Sequence, residues 1–179
     1  RRKTGKMIVA LSRMLNYTMY NREEMKLLRD DMEWLEQYIF IMNCRYDNEF
    51  EIMCRMDEDI MEELVPKLFL QPILENSILH AFTDKETGGR ITITGKRDGE
   101  SGKLLFEVED NGAGMSETQV AGFFKESSGA IGIKNVYQRL RLIYGEDCEF
   151  EIKSRIGYGT RTVIRIPDGE KKKQHLKET

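Results

Sequence analysis

Two pairs of alternating apolar runs, each folded about a glycine-bearing turn, constrain this chain more than any other feature. RITITGKR and KLLFEVED flank DGESG, while CEFEIKSR and TRTVIRIP flank IGYG. Period-two alternation puts one face of a strand on a core and the other in water. A short glycine turn between two such runs predicts an antiparallel hairpin. EFEIMCRM at 49–56 alternates as a further strand, and residues 132–145 form a helix stopped by Gly145. A helix is predicted from about 59 to 82, with a break or late start near Pro66 because Pro66 and Pro72 fall within it. The order after residue 48 is strand, helix, two strands, helix, two strands. Strands segregated from helices predict an α+β fold, a two-layer sandwich of a mixed β-sheet and helices, preceded by an α-helical extension.

In that extension Ile8, Leu11, Leu15 and Met19 recur at helical steps. A second helix is predicted over 22–46. Its Met25, Leu28, Met32, Leu35, Ile39 and Met42 make a seam of coiled-coil type, polar on its flanks. Such a stripe is costly to leave in water. It must meet the folded domain that follows, a second subunit or an upstream helix, and one of the latter two is expected. The expected organisation is a helical dimerisation or linker segment at 1–47, a folded domain at 48–168 and a charged, disordered tail at 169–179.

With 28 basic and 31 acidic residues intermixed, the net charge is -3, and nothing points to nucleic acid. No stretch approaches the roughly 20 apolar residues of a membrane span. The first residue is Arg1, so the sequence reads as a piece of something longer, with any membrane segment expected in regions outside it. Cys44, Cys54 and Cys148 lack metal-type spacing, and His80 and His175 do not complete a zinc pattern with them.

Four segments carry chemistry: LQPILENSILHAF (70–82), VEDNGAGM (108–115), SGAIGIKNV (128–136) and GYGT (157–160). Asp110 ends an apolar strand. Its carboxylate suits the exocyclic amine of adenine, and Gly112 and Gly114 would let a flat base approach the backbone. Taken alone, DNGAG is equally an ordinary Asn-Gly turn. Asn76 sits on a helix, where its amide oxygen is a hard ligand able to complete a Mg²⁺ shell of phosphate oxygens and water, or is simply a buried, satisfied amide. His80 lies one turn on, within reach of phosphate or metal-bound water if it is not a packing residue. Gly129 and Gly132 open the helix beginning Ile133-Lys134-Asn135, whose amino-terminal amides suit phosphate. Thr160 is placed to support the Asp110 pocket through its hydroxyl. Residues 116–131 are polar, contain Gly122 and Gly129, and are expected to form a lid that is poorly ordered without nucleotide.

The order of these segments resembles the N, G1 and G2 boxes of the GHKL ATP-binding fold. Within it, the run from ALSRMLNYTMY through EQYIFIMNCRY to VPKLFLQPILENSILHAF resembles the LytS/YesM-type sensor histidine kinases. Asn76, Asp110, Gly112, Gly114, Gly132 and Thr160 fall on matching motif positions. The resemblance implies the catalytic, ATP-binding part of a two-component kinase that uses Mg²⁺ and ATP. It implies a homodimer through the amino-terminal helices, phosphorylation of an upstream histidine, and a response-regulator aspartate as the next acceptor. A cytoplasmic domain of an integral membrane sensor is the implied setting. Three positions depart from the pattern. No Asn-Pro-His-Phe-like acceptor motif is present, so this chain alone is not expected to phosphorylate itself. Ala130 stands where a glycine is common, and Leu79 where a lysine is frequent. The hydrolytic members carry a glutamate four residues before the metal-binding asparagine, and here that position is Pro72. Anti-sigma-factor-type serine kinases and non-enzymatic nucleotide-binding modules share the fold and are the alternative readings.

Overall fold

A computed structural model describes residues 2–20, 23–46, 50–81, 88–122 and 131–168. The elements in chain order are α1 (Arg2–Tyr20), β1 (Met25–Leu27), α2 (Leu28–Arg45), β2 (Phe50–Met56), β3 (Leu64–Pro66) and α3 (Gln71–Asn76). They continue as β4 (Gly89–Arg97), β5 (Leu104–Asp110), α4 (Glu117–Gly122), α5 (Ile131–Tyr144), β6 (Glu149–Arg155) and β7 (Gly159–Ile166). Strands β2-β4-β5-β7-β6 form a five-stranded mixed sheet in which only β2 and β4 run parallel. Both predicted hairpins are present. The α+β sandwich of sheet and helices is the observed architecture.

Alternation along β5 explains why the sheet has a chemical edge. Leu104, Phe106 and Val108 turn into the core, and the same period carries Asp110 inward, where it is 5% exposed. Phe106 meets Phe69 edge to face at 5.0 Å. Gly95 on the neighbouring strand leaves room for that ring, because a Cβ there would lie 3.0 Å from it and 2.4 Å from the Met56 sulfur.

The segment predicted as one helix over 22–46 begins instead as a strand. β1 pairs antiparallel with β3, Met25 opposite Pro66, and α2 starts only at Leu28. The helix predicted from 59 is likewise a 3₁₀ turn at Glu58–Ile60, then β3, then α3 from Gln71 with Pro72 in its first turn. The seam on α2 does not face a missing partner. Leu28, Met32 and Leu35 are buried in the same cluster as Phe69, Ile73, Ile91 and Phe106, with Ile39 and Met42 packed against it. Trp34, on another side of α2, stacks on Tyr38 at 5.7 Å and meets Tyr17 of α1 at 6.5 Å. The exposed apolar residues of the extension lie on α1: Ile8, Val9, Leu11 and Leu15. Among the described residues no helix is long and apolar enough to cross a membrane.

Between β3 and α3 the chain turns through Leu68, whose φ of +59° is the left-handed conformation. That costs about 1–3 kcal/mol for a residue with a side chain unless its surroundings hold it there. Within the expected lid, 117–122 form α4; residues 123–130, which include Gly129 and Ala130, lie outside the described residues. The tail from 169 onward does so too.

Candidate functional site

Asp110 gathers three elements onto one carboxylate. Its Oδ1 accepts the backbone N–H of Gly112 at 3.0 Å and that of Thr160 at 3.2 Å; its Oδ2 accepts the Ser77 hydroxyl at 2.9 Å. Every one of these partners donates, so Asp110 is an acceptor at this corner. Thr160 therefore supports Asp110 through its amide. Its hydroxyl shares a 2.8 Å hydrogen bond with Ser154 instead, and Ser154 also accepts Met115 N–H at 2.8 Å.

The glycines here serve the protein's own backbone. Gly114 has φ +68°, and a Cβ on it would stand 2.0 Å from the Arg155 carbonyl oxygen. Gly159 has φ +106°, and its Cβ would stand 1.9 Å from the Asp110 carbonyl oxygen. The loop after β5 and the β6–β7 turn thus touch backbone to backbone, which fixes the strand end bearing Asp110. Gly112 is buried beside that carboxylate.

Asn76 is the last residue of α3 and half-buried. The helix then widens into a π turn at Ser77–Ala81, a distortion found often at functional sites. Ser77 itself keeps α-helical dihedrals and donates to Asp110, which brings the residue next to Asn76 onto the Asp110 corner. His80 falls within the π turn, and its side chain lies outside the described residues. Glu75 accepts a hydrogen bond from Gln71 at 2.7 Å and one from the Tyr38 hydroxyl, whose pKa is raised by burial and then by this carboxylate. It joins α3 to α2.

The amino-terminal end of α5 packs against α3, and a Cβ on Gly132 would lie 3.5 Å from that of Pro72, ordinary contact. Ile133 is 3% exposed, so its side chain belongs to the core and only its amide remains for a ligand. Lys134 is half-buried and Asn135 exposed. Leu79 is exposed.

Sequence reasoning missed Ser77 and Ser154. The first follows Asn76 on the same helix, and its partner Asp110 is distant in sequence; the second faces Thr160 across the β6–β7 pair and reaches the loop after β5 at Met115. The cysteines stay outside this chemistry. Burial pushes the thiols of Cys54 and Cys148 up to about 11, far from thiolate reactivity.

The residues present fit a magnesium–adenine-nucleotide complex. An acceptor-only carboxylate, an amide oxygen on the adjoining helix and the amino-terminal turn of α5, where Gly132 is exposed, would suit base, metal and phosphate in turn. Among the described residues no group of three or more His, Cys, Asp or Glu could hold a metal ion. A metal here would take Asn76 and draw its other ligands from phosphate and water.

Sheet, strand-end aspartate, asparagine helix and glycine-led helix together define an ATPase fold of the GHKL type. The family model for histidine kinase-, DNA gyrase B- and HSP90-like ATPases matches residues 65–170, and this chain belongs to that family. The histidine kinase family model matches residues 1–50. YwpD of Bacillus subtilis is 27% identical over 166 residues, covering 92% of this chain and 59% of YwpD. Sensor histidine kinase YesM of the same organism is 30% identical over 168 residues, covering 93% of this chain and 28% of YesM. Sensor protein kinase HptS of Staphylococcus aureus is 26% identical, covering 88% of this chain and 31% of HptS. The chain thus spans less than two thirds of each of these relatives. The histidine kinase domain of the Erythrobacter litoralis blue-light-activated kinase superposes with a TM-score of 0.62 at 18% identity, covering 96% of this chain and 77% of that one. Acinetobacter baumannii histidine kinase AdeS superposes at 0.61 with 12% identity, covering 90% and 77%.

Proposed function

We propose that this chain is the catalytic, ATP-binding part of a two-component sensor histidine kinase. It binds Mg²⁺-ATP and directs the γ-phosphoryl to a histidine outside this sequence, from which a response-regulator aspartate receives it. The observation that carries this reading is the Ser77–Asp110 hydrogen bond, which joins the strand-end acceptor to the helix of Asn76. Asp110 would select adenine by accepting from its amine. Asn76 would hold the metal, and the amides at Gly132 and Ile133, with Lys134, Asn135 and Gly129, would face phosphate. His80 would stand near the transferred group. Bound Mg²⁺-ATP supplies the phosphoryl group, its charge neutralised by the metal. Pro72, where hydrolytic relatives of this fold carry a carboxylate, gives water no general base, so ATP is spared for the histidine.

The burial of α2 residues in the core cluster supports a catalytic body that takes in β1 and α2, in place of the boundary expected at 47/48, with α1 as the arm. Dimerisation would use the Ile8, Leu11 and Leu15 face of α1, the exposed stripe, in place of the α2 seam. The setting fits a domain on the cytoplasmic side of a membrane sensor.

The test is phosphotransfer from labelled ATP to an added dimerisation helix carrying a histidine. The parent chain should label that helix, Asn76→Ala should abolish labelling, and the chain alone should carry no acid-labile phosphate. Label on His80 or His175 of the isolated chain would contradict the mechanism.

A further inference from the structure

Away from the Asp110 corner, a second buried carboxylate holds a turn together. Asp31, on α2, is 4% exposed, and its Oδ1 accepts the backbone N–H of Leu68 at 2.7 Å. The same oxygen accepts the hydroxyl of Tyr17, on α1, at 3.0 Å. Leu68 is the residue with φ +59°, and among the described residues the only non-glycine with positive φ. Its neighbour Lys67 is tied three further ways. The Lys67 N–H donates to the Glu24 carbonyl at 2.9 Å, and its carbonyl accepts from Arg139 of α5 at 2.6 Å. Its ammonium donates to the Tyr17 carbonyl at 2.7 Å while lying over the Tyr17 ring. Residues 67 and 68 therefore bond to α1, α2 and α5, and α3 with Asn76 departs directly after them.

We propose that Asp31 is a positioning residue which, by holding Leu68 in the left-handed conformation and receiving Tyr17, couples the α1 arm to the placement of the nucleotide-facing helices α3 and α5. The inference rests on the nucleotide-site reading above and adds a route by which that site is regulated. A left-handed leucine does not hold itself, so the corner keeps its shape only while Asp31 receives the Leu68 N–H. Tyr17 is the arm's contribution to the same oxygen. A shift or rotation of α1 withdraws the hydroxyl from Asp31 and the carbonyl from Lys67 together. Because α3 and α5 both bond to or depart from this corner, the loss reaches Asn76 and the Gly132 turn. The route is a set of direct contacts between elements that must move together.

The test combines hydrogen exchange of residues 67–78, measured without nucleotide, with calorimetric titration of Mg²⁺-ATP, both on the full 179-residue chain. Asp31→Ala should speed exchange across 67–78 and weaken ATP binding, each by about tenfold, the size of one lost charge-assisted buried hydrogen bond, with exchange in β4 and β5 unchanged. Asp31→Asn, which keeps an oxygen acceptor, should neither speed exchange across 67–78 nor weaken ATP binding. Adding Leu68→Gly to Asp31→Ala should restore both readouts, because glycine takes positive φ unaided; a merely structural contact would not be rescued this way. Tyr17→Phe should raise exchange at 67–78 severalfold while leaving the Leu68 bond in place, and it serves if Asp31→Ala does not fold. Unchanged exchange in Asp31→Ala, no rescue by Leu68→Gly, or no response to Tyr17→Phe would each overturn the proposal. A parent chain that binds no Mg²⁺-ATP would refute the nucleotide reading instead, and the exchange measurements would still decide the positioning claim.

Discussion

Two buried aspartates hold two backbone turns in this molecule, and the turns differ in what they ask of the residues around them. At Asp110 the tight approach is made by glycines, Gly114 and Gly159, whose missing side chains let backbone meet backbone. At Asp31 the left-handed position is a leucine, and the carboxylate itself does the holding. The first corner is rigid by steric fit, with β5, β7 and the π turn locked to one carboxylate. The second is held by hydrogen bonds that an approaching or departing helix can alter. The rigid corner suits recognition of a flat base, and the tethered corner suits control.

The comparison breaks first at the glycines. Gly159→Ala should destabilise the fold by about 3–5 kcal/mol, the sum of overpacking and of a left-handed alanine. Denaturant unfolding measures it, with Gly145→Ala as the reference. Gly145 also has positive φ, +60°, but has open space around it, so only the backbone cost, about 1 kcal/mol, should appear there. Equal losses at the two positions would mean that the backbone contact with Asp110 is not tight.

The Asp31 corner should show itself in pH. Burial pushes the Asp31 carboxyl up from 3.8 to about 6, against the opposing pull of the Leu68 amide, the Tyr17 hydroxyl, Arg139 and Lys67. The folded state therefore holds the proton more tightly than the unfolded chain. The stability from this group is complete below 3.8 and is lost as pH rises through about 6. Asp31→Asn keeps the acceptor and removes the titration. The variant should match the parent in acid and exceed it by about 3 kcal/mol above that range. Thermal or denaturant unfolding across the pH series would show it, and a constant difference at every pH would argue that the carboxylate carries no burial cost.

Leu68→Gly in the parent should be the smallest effect. Relief of the left-handed backbone offsets lost side-chain burial and extra freedom in the unfolded chain, leaving a net change within about 1 kcal/mol. A loss above that in an unfolding titration would mean that the leucine side chain, rather than Asp31, holds the corner.

How much of this was legible beforehand follows the same division. Period-two patterning along KLLFEVED puts Leu104, Phe106, Val108 and Asp110 on one face, so the sheet, its hairpins and the inward Asp110 could all be read directly. The α2 seam had the right period but the wrong partner, because periodicity marks an apolar face and is silent about what covers it. β1 and β3 were hidden because three-residue strands carry no pattern of their own; their pairing is imposed by α2 docking on 61–66, where Leu28 and Arg29 donate to the Glu63 and Met61 carbonyls at 2.9 and 3.0 Å. Ser77 was hidden because its partner, Asp110, is distant in sequence and no local pattern pairs them. Leu68 reads as one more core residue, and nothing local announces its positive φ.

Adenine selection by Asp110 is the claim on which the rest depends, and calorimetric titration of the chain with Mg²⁺-ATP and with Mg²⁺-GTP tests it most directly. The account predicts tighter binding of ATP, and a loss of about 1–3 kcal/mol in ATP affinity for Asp110→Asn, the range for a charge-assisted buried hydrogen bond. Equal affinity for the two nucleotides in the parent chain, or an ATP affinity untouched by Asp110→Asn, would contradict it.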